Sequence, residues 1–119
     1  MKTMELINET TETLIDYNQK LVSAIEKIME LLGEGKHSKA LELLGPVLEG
    51  LQWVFDAVNG INNLVDNKIY DVNQLSPYLK EMLNALENED YVLVSDLFEY
   101  EFVPVLSSLQ KSLEEKNGH

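Results

Sequence analysis

Three carboxylates lie close together in the stretch DLFEYEF (96–102), and carboxylate oxygens are ligands that Mg²⁺ and Ca²⁺ accept. We interpret this stretch as helical, so each side chain is turned by about 100° from the one before it. Glu99 and Glu101 then point roughly 200° apart and cannot bind the same ion. Asp96 and Glu99, three residues apart, are neighbours on one side. The spacing therefore predicts no metal site and leaves the acids for other interactions.

Two roles for these acids follow from their position among aromatic residues. We favour hydrogen bonds inside the protein, because acids embedded among core aromatics are normally paired. In this interpretation Tyr100 turns towards the core, with Glu99 and Glu101 on either side of it. Asp96 and Glu99 would cap the second helix near Pro46, where a proline frees backbone groups. In the alternative, Asp96 and Glu99 face Lys side chains or backbone amides of a partner protein.

Residues for catalysis are scarce in this chain. Cysteine is absent, which excludes disulfides, thiolate metal sites and cysteine nucleophiles. His37 and His119 are the only histidines, whereas a di-iron bundle uses a Glu-x-x-His pair from each of two helices. Ser38 beside His37 is adjacency in sequence and not a catalytic geometry. We therefore predict no enzyme activity, no catalytic residue, no metal and no other cofactor. The alternative is a carboxylate-based metal-binding or enzymatic bundle.

The charge of the chain limits its partners. There are 21 Asp and Glu against 9 basic residues, all of them Lys, and the net charge is −12. Phosphate-binding surfaces rely on a basic field and usually on Arg, so nucleic acids and anionic membranes are disfavoured. We see neither a secretory signal pattern at the start nor an apolar run near the roughly 18 residues of a membrane span. We expect a cytoplasmic protein.

The first half of the chain reads as two helices. Apolar residues recur every seven positions from Ile7 to Ile28, which predicts an amphipathic helix over about 3–32. Asn18 on this seam either fixes the register or lies near a wet end of the core. The turn GEGKHSK offers glycines for a C-cap and Ser38 for the next N-cap. Apolar steps of three and four then run across Pro46, which predicts a kinked helix or two short helices nearly in line. Trp53, off the main seam, either packs in the core or forms a second interface.

The second half reads as another pair of helices. Ser76 before Pro77 predicts a helix start, although Asp71 could begin an earlier turn. Asp90 predicts the cap of a fourth helix that runs to about Leu113. The alternation of aromatics and acids resembles a strand, but no other segment offers a strand partner. We interpret it as two apolar stripes on a doubly covered helix that Pro104 bends; one is Leu93, Leu97, Tyr100 and Pro104, and the other is Phe98, Phe102 and Val105.

A faint internal repeat supports this arrangement. LLGEGKHSKALELL (31–44) aligns without gaps with ALENEDYVLVSDLF (85–98), and each contains a helix end, a polar turn and a helix start. The predicted fold is all-α: a four-helix up-and-down bundle made of two helical hairpins, with kinked second and fourth helices. We expect one bundle domain over 1–113 and a flexible C-terminal tail over 114–119.

Two runs, LEGLQWVFDAV (48–58) and DYVLVSDLFEYEFVPVL (90–106), resemble a family of small, uncharacterised all-helical bacterial proteins. The family features are Glu-Gly-x-x-Trp in the second helix and an Asp-x-Leu-Glu-Tyr-Glu-x-x-Pro-like run in the last. The matching residues are Glu49, Gly50 and Trp53, then Asp96, Phe98, Glu99, Tyr100, Glu101 and Pro104, with Phe98 where Leu is usual. The resemblance covers most of the chain and implies no established activity.

Function is therefore predicted only as a class. Residues 81–110 carry seven acids and no base, a composition that suits a basic, amphipathic segment of a partner. We predict a protein–protein interaction or assembly module of unknown function, with the general character of small acidic export chaperones. Its partner is another protein or a second copy, as in a homodimer. The residues expected to carry the interaction or the structure are Trp53, Asp96, Phe98, Glu99, Tyr100, Glu101 and Phe102.

Overall fold

The computed structural model describes residues 2–66 and 68–116, which form four helices and no strand. The first three are α1 (Lys2–Gly33), α2 (His37–Asn62) and α3 (Ser76–Glu87). The fourth, termed the C-terminal helix, consists of α4 (Tyr91–Leu97), a π-helical turn (Phe98–Phe102) and α5 (Val103–Lys116). The predicted all-α fold is confirmed, and the stretch with alternating aromatics and acids is helical.

Helix α1 spans almost the whole molecule. Its 32 residues measure about 48 Å at 1.5 Å per residue, and the molecule is 50 Å long. Its buried seam packs against both α2 and the C-terminal helix. Asn18 on this seam is fully buried, and its Nδ2 donates hydrogen bonds to the Leu106 carbonyl (2.9 Å) and to Gln110 Oε1 (3.0 Å). Asn18 therefore joins α1 to α5 inside the core and does not lie at a wet end.

Helix α2 continues through Pro46 without interruption, so the alternative of two short helices is wrong. Gly45 and Pro46 lie on its exposed side. Proline has no N–H to donate to the carbonyl group one turn earlier, and on this side water can donate a hydrogen bond to that carbonyl instead. The helix begins at His37, and no side chain of the described residues caps its first turn, so the predicted cap by Ser38 is not formed. The buried row advances in steps of four and three: Ala40, Leu44, Val47, Leu51, Val54 and Val58.

The buried residues of the C-terminal helix are spaced differently, because three consecutive steps between them are four residues long. The row is Val94, Phe98, Phe102, Leu106, Leu109 and Leu113. In a regular α-helix each step of four advances about 40° too far, so three steps would carry the row about 120° off the core. A π-helical turn holds one extra residue, which offsets about 100° of that drift. The Val103 N–H accordingly bonds to the Phe98 carbonyl, five residues back.

This extra residue corrects two expectations about the C-terminal helix. Tyr100 does not turn towards the core, since its side chain is 66% exposed. Phe98 and Phe102 take the core positions instead; both are fully buried, with ring centroids 5.6 Å apart. Three residues of the stripe that contains Tyr100 lie at the surface, namely Leu93, Tyr100 and Pro104, and its fourth residue, Leu97, is buried. The helix is therefore covered on one face by the described residues, and not on two.

Both hairpin turns have the same backbone geometry. After α1 the Lys36 N–H bonds to the Leu31 carbonyl at 2.9 Å, and after α3 the Asp90 N–H bonds to the Ala85 carbonyl at 2.8 Å. In each turn the residue before the donor has a positive φ, which is the Schellman arrangement that commonly ends helices. These residues are Gly35, with φ of 76°, and Glu89, with φ of 54°.

The internal repeat extends over most of both hairpins. Up to the π-helical turn, buried residues of the first hairpin correspond to residues 54 positions later; after it the spacing is 55. The buried pairs are Asn18 and Val72, Leu21 and Leu75, Ile28 and Met82, Leu31 and Ala85, Ala40 and Val94, Leu44 and Phe98, Val47 and Phe102, Leu51 and Leu106, Val54 and Leu109, Val58 and Leu113. The π-helical turn is therefore a one-residue insertion relative to α2.

The remaining boundaries agree with most of the sequence signals. Asp71 accepts a hydrogen bond from the Asn73 N–H at 2.9 Å and caps a 3₁₀ helix, Val72–Leu75, that leads into α3. Asp90 caps α4 through the Leu93 N–H at 3.1 Å, as predicted. Helix α5 ends at Lys116, three residues beyond the predicted end of the domain, and 117–119 lie outside the described residues. Within the described ranges, no helix is long and apolar enough to cross a membrane.

Candidate functional site

The C-terminal helix carries an exposed patch, termed the acidic face, that consists of Val92, Asp96, Glu99 and Tyr100. Asp96 lies four residues after Val92, and Glu99 and Tyr100 lie three and four residues after Asp96, so the four residues lie close together on one side of the helix. Val92 is 74% exposed and Tyr100 is 66% exposed, and both acids are exposed as well. The patch thus combines two solvent-facing apolar side chains with two carboxylates.

The two acids of this patch make no contacts that would assign them a structural role. Among the described residues, the side chains of Asp96 and Glu99 form no hydrogen bond and no ion pair. They therefore lack the internal hydrogen bonds that we favoured from the sequence, for which a cap of α2 near Pro46 was one possible place. Their charges therefore remain fully available to groups outside the chain.

Glu101 differs from its neighbours because it faces the second hairpin. Its side chain is partly buried and lies next to the hydroxyl of Tyr78 on α3. The negative charge of Glu101 raises the pKa of Tyr78 above the usual 10.0, and the protonated hydroxyl can donate a hydrogen bond to the same carboxylate. Glu101 thus has the internal partner that we expected for the acids of this stretch.

A cavity of about 480 Å³ adjoins the acidic face at the end of the bundle where the two hairpin turns lie. Val92, Asp96 and Asp90 line it on one side, and His37 lines it from the other hairpin. The ring of His37 contacts that of Tyr91, with centroids 4.4 Å apart. The cavity therefore has carboxylates and aromatic rings in its wall, a combination suited to a cationic side chain.

Trp53 lies on the opposite hairpin and is 40% exposed, so it is not a core residue. Its ring meets the edge of the Tyr17 ring, with centroids 5.0 Å apart. Gly50 makes this arrangement possible, because a Cβ there would lie 2.6 Å from the Tyr17 hydroxyl. Tyr17 also lines an apolar groove of about 180 Å³ between α1 and α2, termed the α1–α2 groove. The other residues of this groove are Lys20, Leu21, Ala24, Leu43, Pro46 and Val47.

Sequence reasoning found part of this site and missed the rest. It identified Asp96, Glu99 and Tyr100 but placed Tyr100 in the core, and it missed Val92 and Tyr78. The three consecutive steps of four in the apolar row were the available signal for the surface position of Tyr100. No group of three or more His, Cys, Asp and Glu side chains that could hold a metal ion occurs in residues 2–66 and 68–116.

Comparison with known proteins gives one match. The profile of a family described as "Domain of unknown function (DUF8042)" matches residues 9–112, which include both hairpins and the acidic face. No curated protein and no solved structure shows a significant match to the chain.

Proposed function

The chain belongs to the family described as domain of unknown function DUF8042, and we propose that it is a non-enzymatic module that binds another protein through the acidic face of its C-terminal helix. The observation that carries this proposal is the exposure of Tyr100 beside Glu99 and Asp96, two carboxylates without a hydrogen-bond or ion-pair partner among the described residues. Exposed aromatic side chains are typical anchors of protein interfaces. Tyr100 and Glu99 lie in the π-helical turn, and such turns occur frequently at functional sites.

The charge around the acidic face indicates the chemistry of the partner. Residues 81–110 hold seven acids and no base. A basic segment is therefore attracted at long range, and a like-charged one is repelled. Val92 and Tyr100 offer apolar contact beside those charges. The partner that fits both features is a basic, amphipathic helix that lies along the acidic face.

The adjoining cavity gives such a helix a place for one long cationic side chain. Asp90 and Asp96 supply carboxylates, and the Tyr91 ring supplies an aromatic surface. A Lys or Arg in this position would gain charge-assisted hydrogen bonds to these carboxylates. We propose that this residue of the partner sets the register of the complex.

The test is calorimetric titration with a synthetic amphipathic peptide of Leu and Lys, and with a matched peptide of Leu and Glu. We expect the Lys peptide alone to bind, with an affinity that falls as salt is added. The double variant Asp96→Asn with Glu99→Gln, and the variant Tyr100→Ala, should each weaken binding about tenfold or more, equivalent to about 1.4 kcal/mol. Their thermal unfolding should remain unchanged, because these exposed side chains form no hydrogen bond or ion pair with the described part of the chain.

The matched control is Glu9→Gln with Glu12→Gln, which removes the same charge from exposed positions on α1. We expect this control to bind the Lys peptide within about twofold of the unmodified protein, since surface charges separated by more than a Debye length are largely screened. Equal weakening by both double variants would mean that only net charge matters. That result, or the absence of binding to the Lys peptide, would refute the proposal.

A further inference from the structure

The α1–α2 groove has the size and lining of a site for one aromatic ring. Its volume is about 180 Å³, and a cavity of about 150 Å³ can hold a benzene ring. Leu21, Ala24 and Val47 form apolar walls, and Pro46 lies on the α2 side. Lys20 stands at the edge, 73% exposed, and its ion-pair partner among the described residues is Asp16, one turn before it. Such an exposed pair contributes little to stability, so Lys20 can turn to another carboxylate.

The second hairpin shows what occupies the equivalent space. At the spacing of 54 residues that relates the hairpins, Ala24 corresponds to Tyr78. Tyr78 lies next to Glu101, a residue of the π-helical turn in the C-terminal helix. In the alignment of the two hairpins, this turn corresponds to the part of α2 that contains Pro46. The second hairpin therefore fills this position with a tyrosine ring whose hydroxyl faces a carboxylate. The first hairpin has only a methyl group there, and the groove is the space that remains.

We propose that the α1–α2 groove also binds Tyr100 of a second copy of this chain. This inference rests on the proposed role of the acidic face and adds the groove as a second ligand for that face, beside the basic helix. Tyr100 is the most exposed aromatic side chain among the described residues, and it carries Asp96 and Glu99 beside it. The incoming ring occupies the place that Tyr78 takes in the second hairpin. The carboxylates that accompany it meet Lys20 at the groove edge, where they replace Asp16 as the partner of its ammonium group.

This contact joins two different surfaces, so it is heterologous and every copy carries one of each. Further copies can add until the arrangement closes into a ring or continues as a chain. The net charge of −12 opposes association, because the copies repel each other. The assembly is therefore expected to be reversible and to grow with protein concentration.

Sedimentation and light scattering across a range of concentrations test the proposal. We expect the average mass of the unmodified protein to rise above 13.6 kDa as its concentration increases. Ala24→Tyr fills the groove with a tyrosine of the chain's own, and Tyr100→Ala removes the incoming ring. Each variant alone should remain at 13.6 kDa. Ser23→Tyr adds a tyrosine to an exposed neighbouring position and should associate like the unmodified protein.

A mixture of the two variants gives a sharper result. Ala24→Tyr keeps the acidic face and Tyr100→Ala keeps the groove, so the mixture can form one contact and no further ones. We expect a species of twice the monomer mass that does not grow at higher concentration. Lys20→Glu, at an exposed position that tolerates change, should also abolish association of the otherwise unmodified chain, which guards against a folding defect in Ala24→Tyr.

A constant mass of 13.6 kDa for the unmodified protein would overturn the inference, as would normal association of Ala24→Tyr or Lys20→Glu. Binding of the Lys peptide separates this outcome from failure of the proposed function. A monomeric protein that binds the peptide through Tyr100 retains the proposed function and loses only the second copy as its partner. An assembly that depends on the groove but not on Tyr100 contradicts the inference, and the proposed function then stands or falls with the Lys peptide.

Discussion

His37 and Tyr91 are equivalent residues of the two hairpins, 54 positions apart, and their rings contact each other with centroids 4.4 Å apart. Each follows the N-cap residue of its helix directly, His37 at the start of α2 and Tyr91 at the start of α4. Contact between equivalent residues is expected where an approximate two-fold axis relates two copies of a motif. At the end of the bundle where the two turns lie, the two hairpins therefore contact each other through equivalent residues.

The His37–Tyr91 contact should be measurable as a coupling energy. We expect His37→Ala and Tyr91→Ala to show an interaction of about 0.5–1 kcal/mol in a double-mutant cycle, because paired aromatic rings stabilise beyond the area they bury. Urea unfolding of the two single variants and the double variant measures it. Tyr100→Ala combined with His37→Ala is the control pair and should be additive. If the effects of His37→Ala and Tyr91→Ala are additive, the contact between the two rings does not stabilise the protein.

The two Schellman turns allow a paired prediction at equivalent positions. Glu89 has a φ of 54°, where an L side chain is strained, so Glu89→Gly should stabilise the protein by about 0.5–1 kcal/mol. Gly35 has a φ of 76°, and Gly35→Ala should destabilise by about 1 kcal/mol, although no atom lies within 4 Å of the added Cβ. Denaturant unfolding of both variants checks the signs. The same sign for both changes would contradict this account of the turns.

Asn18 provides a test of the buried polar link between α1 and α5. Its Nδ2 donates to two acceptors, and its Oδ1 has no partner among the described residues. Asn18→Asp has the same shape but places a carboxylate against two acceptor oxygens, which should cost about 3 kcal/mol or more at neutral pH. The buried acid should have a raised pKa and recover part of this loss when protonated. The difference in unfolding free energy between the two proteins should therefore shrink as the pH falls, and a difference that does not change with pH would refute the explanation.

Tyr78 and Glu101 predict an effect at alkaline pH. Folding raises the pKa of Tyr78 above 10.0, mainly through the charge of Glu101, so the unfolded chain loses this proton first. The unfolded state then binds fewer protons, and the contribution of this group to stability, complete below pH 10, is lost as the pH rises through the folded-state pKa. Glu101→Gln should lower the pH at which Tyr78 ionises.

Ultraviolet absorbance of tyrosinate during alkaline titration measures this shift. Tyr78→Phe identifies the contribution of Tyr78 by removing it from the titration curve. Glu99→Gln is the control, because Glu99 is not among the groups that shift the pKa of Tyr78. An identical curve for Glu101→Gln and the unmodified protein would show that the carboxylate and the hydroxyl do not interact in solution.

Several features of the fold were predictable because they depend on neighbours in sequence. The heptad seam of α1, the glycine-containing turn after it, and the caps by Asp71 and Asp90 all use contacts within a few residues. The repeat between 31–44 and 85–98 correctly indicated two hairpins. The path of α2 through Pro46 was not decided by the sequence, because the stability lost at a proline has to be compared with the burial of residues on both sides of it.

The candidate site was predictable only in part. Asp96, Glu99 and Tyr100 were singled out from the spacing of acids and aromatics, and the spacing correctly separated Glu99 from Glu101. The side of the helix on which Tyr100 lies depended on a single extra residue in the π-helical turn. A regular helical period applied across that turn shifts every later position by about 100°, which exchanges core for surface.

By itself, the sequence determined the helical class, the hairpin turns, the acidic charge and the absence of cysteine chemistry. These properties follow from composition and from interactions within one or two helical turns. Only the tertiary structure decided that Phe98 and Phe102, rather than Tyr100, fill the core. It also decided that Tyr78 meets Glu101 while its counterpart Ala24 leaves a groove open. Such outcomes depend on how side chains from distant helices compete for the same space, which a local pattern can indicate but does not decide.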